Sequence, residues 1–199
     1  MENTAKGSKT QPECNLLLRL PAVSAGHVAY VWIFSLGFLC GVTRISTFDF
    51  FWHLAGGRYI VQVGELAHTD PFSFTKAGAH WTMHEWLWDV LIYWVYSVSP
   101  GAILVLGAIV GGLIGVLMLY LALRLGGDIL HSVPMVMLGL MSMSVWINER
   151  PQVLQPLFVL VALIILQAYR QGKPKWLVCY PLLMYVWVNA HGSFPLGLG

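Results

Sequence analysis

The uncharged apolar run at residues 101–123 is the feature that most restricts what this chain can fold into. A helix needs about 20 consecutive apolar residues to cross the hydrocarbon core of a bilayer. Across the 199 residues, 57% are hydrophobic and 10% are charged, whereas about 25% of the residues in a soluble domain are charged. The sequence therefore predicts an integral membrane protein and excludes a soluble globular domain. The net charge of +2 gives no reason to expect a nucleic-acid partner.

Further apolar runs predict that the chain crosses the membrane several times. They lie at 28–42, 129–147, 153–168 and 176–190. The shorter run 86–98 contains Asp89, so we expect a helix that lies in the membrane interface or packs on other helices. The predicted fold class is an all-α polytopic membrane protein with about five transmembrane helices.

The distribution of lysine and arginine predicts the orientation of these helices. Cytoplasmic loops are enriched in both residues, and a cytoplasmic N-terminus places most of the 11 lysines and arginines in inner segments. We therefore expect a multi-pass protein of the plasma (inner) membrane, in contact with membrane lipids. Its cytoplasmic tail would be 1–20 and its transmembrane portion 21–199, with a long extracytoplasmic first loop at 45–100.

The long outer loop is expected to carry two amphipathic helices, because a loop of that length without elements of its own is uncommon. The first helix is predicted over 50–63, with Asp49 at or near its N-cap. Gly64 is a suitable stop signal. The second helix is predicted to begin at Glu85, and the segment 72–75 between the two is predicted to be extended.

Polar residues at the membrane edge are candidates for function, because an ionisable group there costs free energy unless it is solvated, paired or used. Asp49 and His53 lie one turn apart on the first predicted helix. They can form an acid/base pair or a metal site, or only a cap beside an interfacial histidine. Asp70, which precedes a proline, indicates a turn in which its side chain caps the backbone or contacts a substrate.

Two further clusters combine carboxylates with cations or histidines. His80 and His84 are four residues apart and Glu85 is adjacent, but the pattern is not HExxH, so zinc hydrolysis is not predicted. Glu149 and Arg150 can pair with each other. Alternatively, Glu149 holds a divalent cation and Arg150 holds a phosphate. These 199 residues contain no GxSxG, P-loop or GxGxxG motif that would favour hydrolase or nucleotide chemistry.

The order of these features resembles the N-terminal half of membrane glycosyltransferases of the GT-C superfamily, in their protein-mannosyltransferase-like bacterial branch. The resemblance covers roughly residues 20–199. It is carried by Asp49-Phe50-Phe51-Trp52-His53-Leu54, Asp70-Pro71-Phe72-Ser73-Phe74-Thr75, His84-Glu85-Trp86-Leu87 and Asn189-Ala190-His191-Gly192. It implies a polyprenyl-phosphate-linked sugar as donor, and a lipid, glycan or protein as acceptor. A divalent cation is the candidate cofactor.

The resemblance also implies roles for individual residues. Asp49 matches the first-loop carboxylate, which acts as base or binds the acceptor, and Glu149 matches a second acid that assists or binds metal. Where that superfamily often has another acid beside the first, this chain has Phe50. The candidate substrate-binding residues are His53, Arg58, Asp70, His84, Glu85, Arg150 and His191. We expect one outward cavity to be surrounded by Asp49, His53, His84, Glu85 and Glu149.

Two other functions are compatible with the sequence. A transporter or channel fragment needs polar groups or interrupted helices near the bilayer midplane, and His131 and Pro134 are the hints of this kind. A membrane scaffold protein would use the small-residue face formed by Gly107, Gly111 and Gly115, which favours close helix packing. Because the chain ends within an apolar trend, we expect it to be part of a longer protein and to be inactive alone.

Overall fold

The computed structural model describes residues 23–198, so the predicted tail 1–20 lies outside the described part of the chain. The described residues form helices and loops, without a β-strand. Their α-helices are α1 (Ala25–Gly41), α2 (Phe48–Val63), α3 (Trp86–Val98), α4 (Ala102–Arg124), α5 (Ile129–Met143), α6 (Leu154–Arg170) and α7 (Cys179–Ala190). The all-α prediction is therefore confirmed for these residues.

Among residues 23–198, three helices are long and apolar enough to cross a membrane. They are α4, α5 with its 3-10 extension to Trp146, and α6 with the 3-10 turn that precedes it from Pro151. Helix α1 is apolar but has 17 residues, and α7 has 12. The chain is thus a membrane protein by the length and composition of its helices, and the count of five spans stays a prediction.

The two helices predicted between the first and second apolar runs are present as α2 and α3. Helix α2 begins at Phe48 after the N-cap Thr47, and it ends at Gly64, whose φ of 84° is the left-handed conformation that glycine adopts readily. Helix α3 begins at Trp86, one residue later than predicted, and has Glu85 at its N-cap.

The extended segment predicted at 72–75 is wrong, because this stretch is a series of bends. The Asp70 carboxylate accepts hydrogen bonds from the backbone N–H groups of Phe72 (2.9 Å) and Ser73 (3.0 Å), which turns the chain. An isolated antiparallel bridge between Thr69 and His80 closes the loop.

Glycines let α1 and α4 pack backbone to backbone. A Cβ atom added to Gly107 would lie 2.8 Å from the carbonyl oxygen of Gly41, and one on Gly111 would overlap the carbonyl oxygen of Gly37. One added to Gly115 would meet Ile33 at 3.0 Å. The predicted small-residue face therefore forms the contact with α1.

A second glycine contact joins α2 to α3. A Cβ atom on Gly57 would overlap the backbone carbonyl of Asp89, and one on Gly56 would lie 2.8 Å from the Asp89 carboxylate. Phe50 on α2 and Trp88 on α3 are buried in the same hydrophobic core. This close approach brings the carboxylate of Asp89 to the face of α2 that carries His53.

Candidate functional site

A cavity of about 230 Å³ opens between α2, α3 and the loop before α3. It is lined by Asp49, Trp52, His53, Trp81, Thr82, Met83, His84, Glu85 and Asp89. Four of the five residues that were expected to surround one cavity therefore do so. Glu149, the fifth, is not among the lining residues.

A buried histidine–carboxylate pair forms the floor of this cavity. The Nδ1 atom of His53 lies 2.6 Å from Oδ1 of Asp89, and the two residues are only 9% and 5% exposed. Burial raises the pKa of the Asp89 carboxyl, and nearby Glu85 adds to this increase, while the hydrogen bond from His53 opposes it. Asp89 was not a predicted site residue, although its place four residues after Glu85 on one helix face was the available signal.

Glu85 lies at the centre of three imidazoles. The Nε2 atoms of His53, His84 and His191 are each 3.8 Å from its carboxylate, which is longer than a hydrogen bond. The backbone N–H of Gly192 donates to the same group at 3.4 Å. The N-cap of α3 thus collects side chains from α2, from its own preceding loop and from the end of α7.

The tautomer of His191 follows from its neighbours. Its Nδ1 atom accepts from the backbone N–H of Ser193 at 3.2 Å and lies 2.7 Å from the Ser193 hydroxyl, so the ring proton is on Nε2 and points to Glu85. Burial lowers the pKa of His191, and the charge of Glu85 opposes this effect. A hydrogen bond of 2.8 Å from the Trp86 indole to Asn189 fixes the end of α7 on the start of α3.

Asp49 lies at the edge of the cavity, in the first turn of α2, where the helix dipole favours a negative charge. Its carboxylate pairs with the guanidinium of Arg150 at 3.0 Å, and both side chains are about half exposed. Of the two alternatives weighed for Arg150, the ion pair with neighbouring Glu149 does not occur, because Arg150 reaches Asp49 instead.

Glu149 holds the start of α2 from outside the cavity. Its Oε1 atom accepts from the backbone N–H groups of Ser46 and Thr47, both at 2.7 Å, and from the Thr47 hydroxyl at 2.9 Å. Burial raises the pKa of Glu149, but these hydrogen bonds and one from its own backbone outweigh it, so the net pKa is below the usual value. The expectation that Glu149 shares the cavity with Asp49 is therefore wrong, because the residue caps the backbone before α2.

Each of the two carboxylates named as metal candidates is engaged by a partner within the chain. Asp49 is engaged by Arg150 and Glu149 by the backbone before α2. Within residues 23–198, no group of three or more His, Cys, Asp and Glu side chains is placed to hold a metal ion. The divalent cation implied by the resemblance stays a prediction.

Two further candidates lie away from the cavity. Asp70 caps its own turn, and hydrogen bonds from Ser73 and Phe72 hold the pKa of its carboxyl below the usual value. Arg58 is exposed on α2 and donates to Gln62 at 3.4 Å. Neither residue lines the cavity, although the turn at Asp70 positions Phe72 near its wall.

Aromatic rings form that wall. The ring centroids of Trp52 and Trp81 are 4.8 Å apart, and Phe72 meets them edge-on at 5.5 and 5.9 Å. Such rings offer apolar faces to the C–H groups of a ligand, while Glu85 and His53 offer polar atoms beside them. The cavity therefore combines acid/base groups with a surface suited to stacking.

No family model, curated protein or solved structure matches the chain. The candidate site is a water-accessible acid/base cavity, next to apolar helices, with one buried imidazole–carboxylate pair and one exposed carboxylate–guanidinium pair.

Proposed function

We propose that the chain belongs to an integral membrane glycosyltransferase of the GT-C type. The enzyme would transfer a sugar from a polyprenyl-phosphate donor to a lipid, glycan or protein acceptor outside the cytoplasm. The observation that carries this proposal is the single cavity that is lined by Asp49, His53 and Glu85 together with Trp52 and Trp81. Sugar transfer needs both a proton acceptor for the incoming hydroxyl and faces on which a sugar ring can stack.

The charges at the cavity support a division between acceptor and donor. Its lining residues include three acids, Asp49, Glu85 and Asp89, and no lysine or arginine, so a phosphate is disfavoured inside it. Arg150 stands at the edge, where a guanidinium can bind phosphate oxygens in exchange for its carboxylate partner. The acceptor would therefore occupy the cavity, and the donor phosphate would lie toward Arg150.

The proposal includes a topology with five spans, a cytoplasmic N-terminus and the 45–100 loop outside. The test is labelling of single cysteines in intact cells with a membrane-impermeant maleimide, in a background without Cys14, Cys40 and Cys179. Lys76→Cys, in an exposed turn of that loop, is expected to react in intact cells. Lys175→Cys, the matched control, is expected to react only after permeabilisation; the reverse pattern would contradict the topology.

Activity is tested on the complete reading frame to which this chain belongs, in membranes supplied with undecaprenyl-phosphate-linked radioactive glucose or mannose. Wild-type protein is expected to move label to a membrane acceptor. Asp49→Asn is expected to lower that transfer, whereas Lys76→Gln, a change in an exposed turn, leaves it unchanged. Absence of transfer together with solute flux in proteoliposomes would favour the transporter alternative instead.

A further inference from the structure

The resemblance assigns no role to the buried pair of His53 and Asp89, whose contact fixes where the ring proton lies. A carboxylate can only accept a hydrogen bond, so the 2.6 Å contact places the ring proton of His53 on Nδ1. Nε2 then carries the lone pair when the ring is neutral. The cavity is lined by His53, and Nε2 is 3.8 Å from Oε2 of Glu85, too far for a hydrogen bond to occupy it.

We propose that His53 is the catalytic base of the transfer reaction and that Asp89 and Glu85 are positioning residues for it. This inference rests on the proposed function. The acceptor hydroxyl gives its proton to Nε2 of His53 while its oxygen forms a bond to the anomeric carbon of the donor sugar. The bond from that carbon to the phosphate oxygen breaks, and its electron pair leaves with the polyprenyl phosphate.

The charges around His53 suit this role. Protonation makes the ring positive between two carboxylates, Asp89 on one edge and Glu85 on the other, so the charge that forms in the reaction is stabilised by groups already in place. The other titratable groups nearby are Asp49 and His84, which line the cavity, and His191, which like His84 faces Glu85.

Asp49 is less suited to be the base. Its carboxylate is held at 3.0 Å by the guanidinium of Arg150, so it is already engaged by a cation that an acceptor hydroxyl would have to displace. It is also about half exposed, whereas His53 is buried and held in one orientation. Asp49 is then placed to bind the acceptor at the edge of the cavity.

The first arm of the test needs no sugar substrate. Diethyl pyrocarbonate reacts with the unprotonated nitrogen of imidazole, and mass spectrometry locates each modified histidine in protein held in lipid nanodiscs. His53 is expected to be modified through the cavity, and Asp89→Asn is expected to slow the modification of His53 by at least about tenfold, because the ring tautomer is no longer held. Glu65→Gln, an exposed change on the same loop, is the control. Equal reactivity of His53 in wild type and in Asp89→Asn would overturn the assignment.

The second arm uses the radioactive sugar transfer of the complete protein. His53→Ala is expected to lose about 100- to 10,000-fold of the transfer rate, and added imidazole is expected to restore part of it, which a structural role alone would not produce. His68→Ala is the matched control. His53→Gln and Asp89→Asn serve if the alanine variant does not fold; Asp89→Asn is expected to change the pH profile as well as the rate.

The outcomes separate the two proposals. Transfer by wild type with undiminished transfer by His53→Ala overturns the role of His53 and leaves the proposed function intact. A lack of transfer by wild type overturns the proposed function and the role of His53 in it, even if the reactivity with diethyl pyrocarbonate follows the expected pattern. Loss in His53→Ala with rescue by imidazole supports both.

Discussion

The α1–α4 contact and the α2–α3 contact both depend on glycines, but they have different consequences. In both, glycines remove the side chain so that two helix backbones meet. Gly37 and Gly41 meet Gly107 and Gly111 and so produce only packing between apolar helices. The pair Gly56-Gly57, in contrast, places a carboxylate from α3 against an imidazole on α2. One contact therefore supports the fold and the other also supports the chemistry.

A side chain placed in the α1–α4 contact should lower the free energy of unfolding the most. Gly111→Val puts a branched side chain against the backbone carbonyl of Gly37, and we expect it to lower the free energy of unfolding by about 3 kcal/mol. Thermal unfolding in detergent measures this. Gly101→Ala is the control, because a Cβ there meets only Ser99 at 3.7 Å. A folded Gly111→Val protein should keep the reactivity of His53; loss of that reactivity would show that the two contacts are not independent.

The α2–α3 contact can be broken at the backbone. Gly57→Ala brings a Cβ into the carbonyl of Asp89, which separates the helices, and we expect a cost of about 1–3 kcal/mol together with slower modification of His53. Gly56→Ala separates the effect on the side chain from the effect on the backbone, because its Cβ meets the Asp89 carboxylate rather than the backbone. Gly56→Ala should also slow the modification of His53, but with a smaller decrease in the free energy of unfolding than Gly57→Ala. If Gly57→Ala destabilises the protein without altering His53, the contact supports only the fold.

Two buried carboxylates, Glu149 in the loop before α6 and Asp89 on α3, should change stability with pH in opposite directions. The pKa of Glu149 is lower in the folded protein than its usual 4.5, so Glu149 stabilises the fold above that pH, and this contribution is lost as the pH falls through the folded pKa. The pKa of Asp89 is raised from 3.8, so ionising it reduces stability as the pH rises from 3.8 through its folded pKa.

Unfolding of wild type, Glu149→Gln and Asp89→Asn between pH 3 and pH 7 measures both effects. Glu149→Gln is expected to remove part of the loss of stability at acid pH, and to lower stability at pH 7 by about 1–2 kcal/mol because a charged hydrogen-bond acceptor is lost. Asp89→Asn is expected to remove the loss of stability that ionisation of Asp89 causes as the pH rises. Parallel pH curves for wild type and Glu149→Gln would contradict the capping role of Glu149.

Local signals predicted much of the fold but only part of the site. Gly64 as a helix stop, Glu85 at the start of α3 and the glycine face of α4 could be recognised because each depends on a few neighbouring residues. The partners of His53 and Glu149 could not, because Asp89 lies 36 residues from His53, and Glu149 lies 103 residues from Ser46. Such pairs are fixed by how the helices pack, which the sequence pattern does not specify.

A change in the turn at Asp70 should alter only the packing of the aromatic wall, and by a small amount. Asp70→Ala removes the acceptor for the N–H groups of Phe72 and Ser73, so Phe72 should move relative to Trp52 and Trp81. We expect a modest rise in quenching of tryptophan fluorescence by acrylamide and no change in the modification of His53, since Asp70 is outside the cavity. Asp70→Asn keeps an acceptor and should behave as wild type. Equal quenching in both variants would show that the turn does not hold Phe72 against the two indoles. Slower modification of His53 by diethyl pyrocarbonate in Asp70→Ala would show that the loop and the α2–α3 contact are coupled.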